Sequence, residues 1–223
     1  MPQRLIFPEP DAAADALTFV GRARSLGDGT VRLRAADGVL VMTTAPLAPR
    51  GLFDTTPTVL AMRTLAIDPE LVCDVTVDAA TLRGAEGDSS AITLPETAVS
   101  PSWTGVTPPR GGWEIEPAIS ASVLASRAQW GITAVAEALP ANPGEDVVRT
   151  VRAEVWGAPD EALDGLPLGA AFAAFALGFI AGEEQARVRT AAAWARITLD
   201  RGHVLVRRPG RSGLTAVRPT GAA

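Results

Sequence analysis

The only imidazole in this 223-residue chain is His203, the only thiol is Cys73, and there is no lysine and no tyrosine. That inventory excludes a Schiff-base lysine, a phosphate-loop lysine and a tyrosine acid. It also excludes any two-histidine or two-cysteine metal site built within one chain. What remains for chemistry is 25 carboxylates, the hydroxyls, twenty arginines and five tryptophans.

Among the carboxylates, Asp74 and Asp78 are an even number of residues apart in a β-branched run. A continuous strand would put both on one face, where they could hold Mg²⁺ or act as an acid–base pair. The same placement is expected of any solvated strand face, and no third ligand is implied. His203 falls just after a turn, without a serine partner or a G-x-S-x-G elbow. Cys73 has apolar strand neighbours, the usual surroundings of an inert thiol. Gly27-Asp28-Gly29 lacks the third glycine and following helix of a dinucleotide loop, so it reads as a turn. No catalytic residue, metal ligand or cofactor is nominated on these grounds.

The segment 101–117 is the best candidate for a site. Within Trp103-Thr-Gly-Val-Thr-Pro-Pro-Arg-Gly-Gly-Trp113, the two indoles can stack on a planar ligand or clamp a proline-rich segment. Arg110 can offer a two-pronged donor to phosphate or carboxylate. The competing expectation is structural and is favoured: the tryptophans pin a long loop to the core, and Arg110 pairs with Glu114 or Glu116.

Charge is unevenly spread. Residues 1–184 carry twelve arginines against twenty-four acids; residues 185–223 carry eight arginines against Asp200 alone. Arg201, Arg207, Arg208 and Arg211 therefore form a possible anion-binding set. The alternative is that this basic end folds back on the acidic body and is neutralised there. Three helices followed by a basic hairpin is also a winged-helix order. The helix before the hairpin, Ala-Phe-Ala-Ala-Phe-Ala-Leu-Gly-Phe-Ile, has no residue for phosphates or base edges, so the hairpin and tail alone would carry DNA contact.

These residues need elements to hold them. Arg4–Phe7 reads as a short strand, and a helix from about Ala12 to Ser25 follows, with Asp11 as its N-cap. Strands are expected at Thr30–Ala35 and Val39–Thr44, joined by Asp37-Gly38, the pair that tolerates two successive positive φ values. Further extended runs are Thr58–Ile67, Leu71–Val77 and Ala91–Leu94, with a helical turn within Asp78–Arg83. The second half reads as helical: Pro117–Leu139, Glu145–Trp156 and Leu168–Ala181. The last presents Phe172, Phe175 and Phe179 on one side and a seam of Ala170, Ala174 and Gly178 on another. Trp194–Leu199 and His203–Arg207 make a final hairpin, with Gly202 expected in the left-handed region.

The longest uncharged run, between Asp164 and Glu183, falls short of the ~20 apolar residues a spanning helix needs. The N-terminal stretch carries one charge and no signal-peptide apolar run, and the single cysteine suits a reducing compartment. A cytoplasmic protein without membrane contact is the expectation.

The stretch 103–113, Gly169-Ala-Ala-Phe172 and Arg201-Gly-His-Val-Leu-Val-Arg207 together resemble a family of actinobacterial proteins of unknown function. The resemblance spans most of the chain. It implies a bacterial cytoplasmic protein and transfers no catalytic residue.

The fold class expected is α+β. A mostly antiparallel N-terminal sheet region (1–100) with one early helix is joined by the connector (101–117) to a helical region ending in a β-hairpin (118–208). A flexible tail (209–223) follows, and the hairpin is placed to return and extend the sheet. The function expected is non-enzymatic binding or scaffolding of a protein partner, with a homodimer possible. Nucleic-acid regulation through the arginine-rich hairpin is the alternative, and a carboxylate-based, metal-assisted enzyme the second alternative.

Overall fold

A computed structural model describes residues 4–51 and 53–208. The expected tail, and Arg211 with it, lies outside the described residues. The first half runs β1 (Arg4–Ile6), α1 (Pro10–Ala23), β2 (Thr30–Ala36), β3 (Val39–Leu47), β4 (Thr58–Ala66), β5 (Cys73–Asp78), β6 (Arg83–Ala85) and β7 (Asp88–Thr93). The second half runs β8 (Glu114–Ser120), α2 (Ala121–Ala138), α3 (Glu145–Gly157), β9 (Pro159–Asp160), β10 (Leu166–Pro167), α4 (Gly169–Ala176), β11 (Gln185–Ala191), β12 (Trp194–Leu199) and β13 (Gly202–Arg207).

Both halves build one eight-stranded sheet in the order β5-β2-β3-β4-β13-β12-β11-β8, antiparallel throughout. They join at β4–β13, where Thr58 faces Arg207 and Met62 faces His203. The hairpin does return to the sheet. Strand alternation then sorts the side chains. Val31, Leu33, Leu40, Met42, Val59, Ala61, Val188, Ile197, Val204 and Val206 point to an inner face that α1, α2 and α4 cover, and this is the main core. Their neighbours in sequence point to an outer face.

Local chemistry explains the element ends. Asp37 (φ 51°) and Gly38 (φ 76°) form the tight β2–β3 turn as expected. Helix α1 starts two residues earlier than its sequence suggests: Glu9 is the N-cap, Pro10 takes the first helical position, and Asp11 lies in the first turn. Residues 114–120 form an edge strand rather than the start of a helix. Pro117 is tolerated there because an edge has one unpaired side. Helix α2 begins only at Ala121, where the Ser120 hydroxyl accepts a hydrogen bond from the Val123 N–H at 3.3 Å.

The apolar helix is also shorter than its composition suggests, ending at Ala176. Gly178 takes φ 68°, Gly178 N–H donates to the Phe175 carbonyl, and Arg22 donates to the Leu177 carbonyl at 2.6 Å. The three phenylalanines separate accordingly: Phe172 stacks on Trp156, Phe179 lies beyond the helix against Phe19, and Phe175 is partly exposed. The second half is thus less helical than expected, because Gln185–Ala191 is a full strand. Gly202 is not left-handed. Leu199 pairs directly with Gly202 across a two-residue turn, and a Cβ at Gly202 would sit 2.6 Å from the Phe179 ring. No helix among the described residues is long and apolar enough to cross a membrane.

Ala170 and Ala174 are fully buried on α4. Replacing Ala174 with leucine is expected to lower stability by about 1–3 kcal/mol, because close-packed surroundings must move to admit three carbons. Thermal melting checks this; an unchanged midpoint would show slack that the packing does not display.

Candidate functional site

The outer face of the sheet is where the candidate residues gather. A second apolar cluster sits there: Ala45, Leu60, Trp103, Trp194 and Leu205, with Met62, Val106 and Trp113 packed against it. It forms because Leu60, Met62, Leu205 and Trp194 alternate with inner-face residues on β4, β13 and β12. The connector crosses this face and covers it.

Trp103 is 4% exposed, in a single helical turn at Ser102–Gly105. Its indole N–H donates to Asp28 Oδ2 at 3.1 Å and to the Thr30 hydroxyl at 3.3 Å. One residue on, the Thr104 carbonyl accepts from Arg32 at 3.0 Å. Trp113 is only half-buried. Its N–H donates to the Pro109 carbonyl at 3.1 Å, closing the Pro-Arg-Gly-Gly bend on itself, and the Arg196 guanidinium lies 4.8 Å from its ring centroid. Arg110 is exposed on that bend, and Glu116 accepts from the Thr190 hydroxyl at 2.6 Å. Ile115, the first outward residue of β8, is exposed beside them.

The described members of the anion-binding set, Arg201, Arg207 and Arg208, border different regions. Arg207 is on the outer face opposite Trp194, whereas Arg208 lines a cavity of about 470 Å³ between the inner side of β8 and β11 and residues Asp164 and Leu166. Arg201 borders a separate cleft of about 300 Å³ with Arg22, Arg63 and Asp15, where Arg63 pairs with Asp15 and donates to the Arg201 carbonyl. Three arginines outside that set share one face instead: Arg187 and Arg189 on β11, and Arg196, a member of the basic hairpin, on β12 directly opposite Arg189. The signal was present in Gln185-Ala-Arg-Val-Arg-Thr-Ala191, whose alternation puts Ala186 and Val188 in the core and both arginines outward.

Electrostatics follow from that placement. Burial first, then the charges of Arg189 and Arg187, lowers the Arg196 pKa from its ordinary value. His203, on the same face, is likewise pushed down by burial and then by Arg196 and Arg187, all of which disfavour its charged form. Its Nδ1 lies 3.1 Å from the Thr198 hydroxyl. Cys73 is partly buried, and burial raises its thiol pKa.

Asp74 and Asp78 do lie on one face of β5, opposite Arg34 and Thr30. Each already has a structural partner. Asp74 takes a two-pronged pair from Arg32, at 2.7 and 2.8 Å, which holds its carboxyl below the usual range. Asp78 accepts from the Ala80 N–H at 2.8 Å and caps the following turn. Among the described residues, no three His, Cys, Asp or Glu side chains converge as a metal site would require.

Residues 1–105 match the family model described as Domain of unknown function (DUF8010), and residues 108–211 match Domain of unknown function (DUF8185). No curated protein matches the sequence. In fold, the chain is similar to a DNA polymerase sliding clamp from Caulobacter crescentus, with a TM-score of 0.51 at 12% identity, covering 99% of this chain and 69% of the clamp. A second Caulobacter crescentus structure, of polymerase III beta, gives 0.50 at 11% identity over 93% of this chain and 65% of that one. A sliding clamp from Bartonella birtlesii, bound to griselimycin, gives 0.50 at 12% identity over the same shares, 93% and 65%. The chain thus spans about two thirds of the length of the clamps it resembles.

Proposed function

We propose that this chain, two domains of unknown function sharing one sheet in a sliding-clamp-like fold, is a non-enzymatic binding protein that holds a protein partner on the outer face of that sheet. The observation that carries the reading is the half-buried Trp113. It is seated on the second apolar cluster under Arg196, with exposed Arg110 and Ile115 beside it. An aromatic anchor with an arginine at its rim is the composition of interface hot spots. The surface is broad and lies on a sheet whose other face is filled by helices, which suits a macromolecule better than a small substrate. The enzyme alternative is disfavoured because Asp74 and Asp78 are engaged by Arg32 and by a turn.

Affinity capture from nuclease-treated lysate, comparing the native chain with an Arg110→Ala/Trp113→Ala variant of unchanged melting temperature, tests this. The expected result is a defined protein recovered by the first and lost by the second. Equal recovery by both would remove the connector from the interface. Recovery that disappears with nuclease would replace the protein partner with nucleic acid.

A further inference from the structure

We infer that the outer face of β11–β13 is a binding surface for the phosphate backbone of single-stranded nucleic acid, carried by Arg187, Arg189 and Arg196. This site adjoins the Arg110 bend, shares Trp113 and Arg196 with it, and goes beyond the protein-partner reading. Of the arginines that sequence composition emphasised, Arg207 shares this face, whereas Arg201 and Arg208 border other regions.

Among the described residues, the arginines of β11–β13 carry charge with no ion-pair partner. Every ion pair among the described residues uses an arginine at or before position 152: Arg32–Asp74, Arg63–Asp15, Arg127–Asp160 and Arg149 with Glu145 and Asp146. None involves the arginines of β11–β13, so the acidic body does not neutralise this end of the sheet. The acids of adjoining β8 are turned away: Glu114 and Glu116 register with Thr190 and Val188 on the inner side, and Glu116 is held by the Thr190 hydroxyl.

The arginines are also placed against one another. Arg189 and Arg196 are directly opposed across β11–β12, an arrangement of like charges that costs stability. Arg187 is two residues along the same strand and exposed, and Arg207 lies exposed on the same face two strands away. Arg196 Nε is shielded from solvent without a hydrogen-bond acceptor. A polyanion crossing this face relieves the repulsion and supplies acceptors.

Single-stranded nucleic acid fits better than an acidic peptide because the charge is joined to an aromatic surface. Arg196 lies over the Trp113 ring, so a phosphate that draws the guanidinium aside opens the indole to a base; a basic track with a stacking platform is how single strands are held without base-specific contacts. A duplex offers phosphates but no free base faces to stack. A polyglutamate peptide offers carboxylates to the arginines but no planar group to stack on the indole.

The test uses the full chain with labelled oligothymidylate, a duplex of equal length and a polyglutamate peptide. It compares the native protein with Arg187→Gln/Arg189→Gln, and with Arg187→Gln alone should the double variant not fold. The native chain should bind the single strand in preference to both other probes at about 50 mM salt. The double variant should melt no lower than the native chain, since it removes a like-charge opposition, and lose about tenfold or more in affinity. Its log–log salt slope should be shallower by about 1.4, or about 0.7 for each phosphate contact removed. Absence of binding at low salt, preference for duplex or polyglutamate, or unchanged binding by the variants would overturn the assignment. Because Arg110 and Trp113 stay intact, the variants should retain any protein captured through the connector, so the two readings fail separately.

Discussion

Replacing Trp156 with alanine is expected to cost about 3–5 kcal/mol, as for other large-to-small changes in a core. For a chain of this size that corresponds to a fall in melting temperature on the order of 10 °C. The reason is position. Trp156 closes the last turn of α3, is 4% exposed, and stacks on Phe172 of α4 with ring centroids 4.2 Å apart. Its ring fills the space that Gly131 leaves on α2: a Cβ there would stand 2.2 Å from the indole. Gly169, at the start of α4, also passes close beneath its backbone, where a Cβ would meet the Trp156 carbonyl oxygen at 2.9 Å. One side chain thus sets the spacing of three helices. Gly131→Val should produce a comparable loss from the opposite direction, since the indole would have to leave its site. Circular-dichroism melting of both variants checks the claim. A Trp156→Ala protein that melts with the native chain would mean these helices do not depend on the wedge.

Much of the fold is legible in short-range signals. Asp37-Gly38 between two alternating runs specifies its hairpin because both residues must accept positive φ, and they do. The final hairpin and the existence of α1, α2 and α3 follow from periodicity. Other features depend on tertiary context. Pro117 argues against a strand until β8 is known to be an edge. The run from Leu168 to Ala181 looks like one helix because its apolar residues continue past Gly178, whose left-handed backbone is fixed by its neighbourhood, Arg22 included. The β4–β13 junction joins residues more than 130 apart, and nothing local announces it.

The candidate site divides along the same line. Trp103 and Trp113 differ by ten residues and share a composition, yet one is core and the other half-exposed. The difference comes from Asp28 and Thr30 receiving the Trp103 N–H. Arg187 and Arg189 were visible as alternation within β11, but their opposition to Arg196 required the β11–β12 register. Counting arginines locates a basic end; only the register shows which face of the sheet carries it.

Trp103→Ala carries the second large expected effect, again about 3–5 kcal/mol, with a consequence that Trp156→Ala lacks. Trp103 fills the second apolar cluster with Ala45, Leu60, Trp194 and Leu205, so its removal opens a void under the connector. The anchoring hydrogen bonds to Asp28 and Thr30 go with it. The segment from Pro101 to Trp113 then keeps weaker ties: Thr104 to Arg32, the long Ser102 hydrogen bond to the Pro49 carbonyl, and Val106 and Trp113 against a depleted cluster and Arg196. Limited proteolysis should therefore cut near Arg110 sooner in this variant than in the native chain, while Trp156→Ala should leave that site's relative protection unchanged. Trp103→Phe separates the contributions: it keeps most of the apolar filling, forfeits the N–H donor, and should cost about 1 kcal/mol plus any packing mismatch. If Trp103→Ala melts lower without earlier cleavage at the connector, the loop is held at its Trp113 end instead. The stack under Arg196 would then be a structural clasp, unavailable to any partner until it opens.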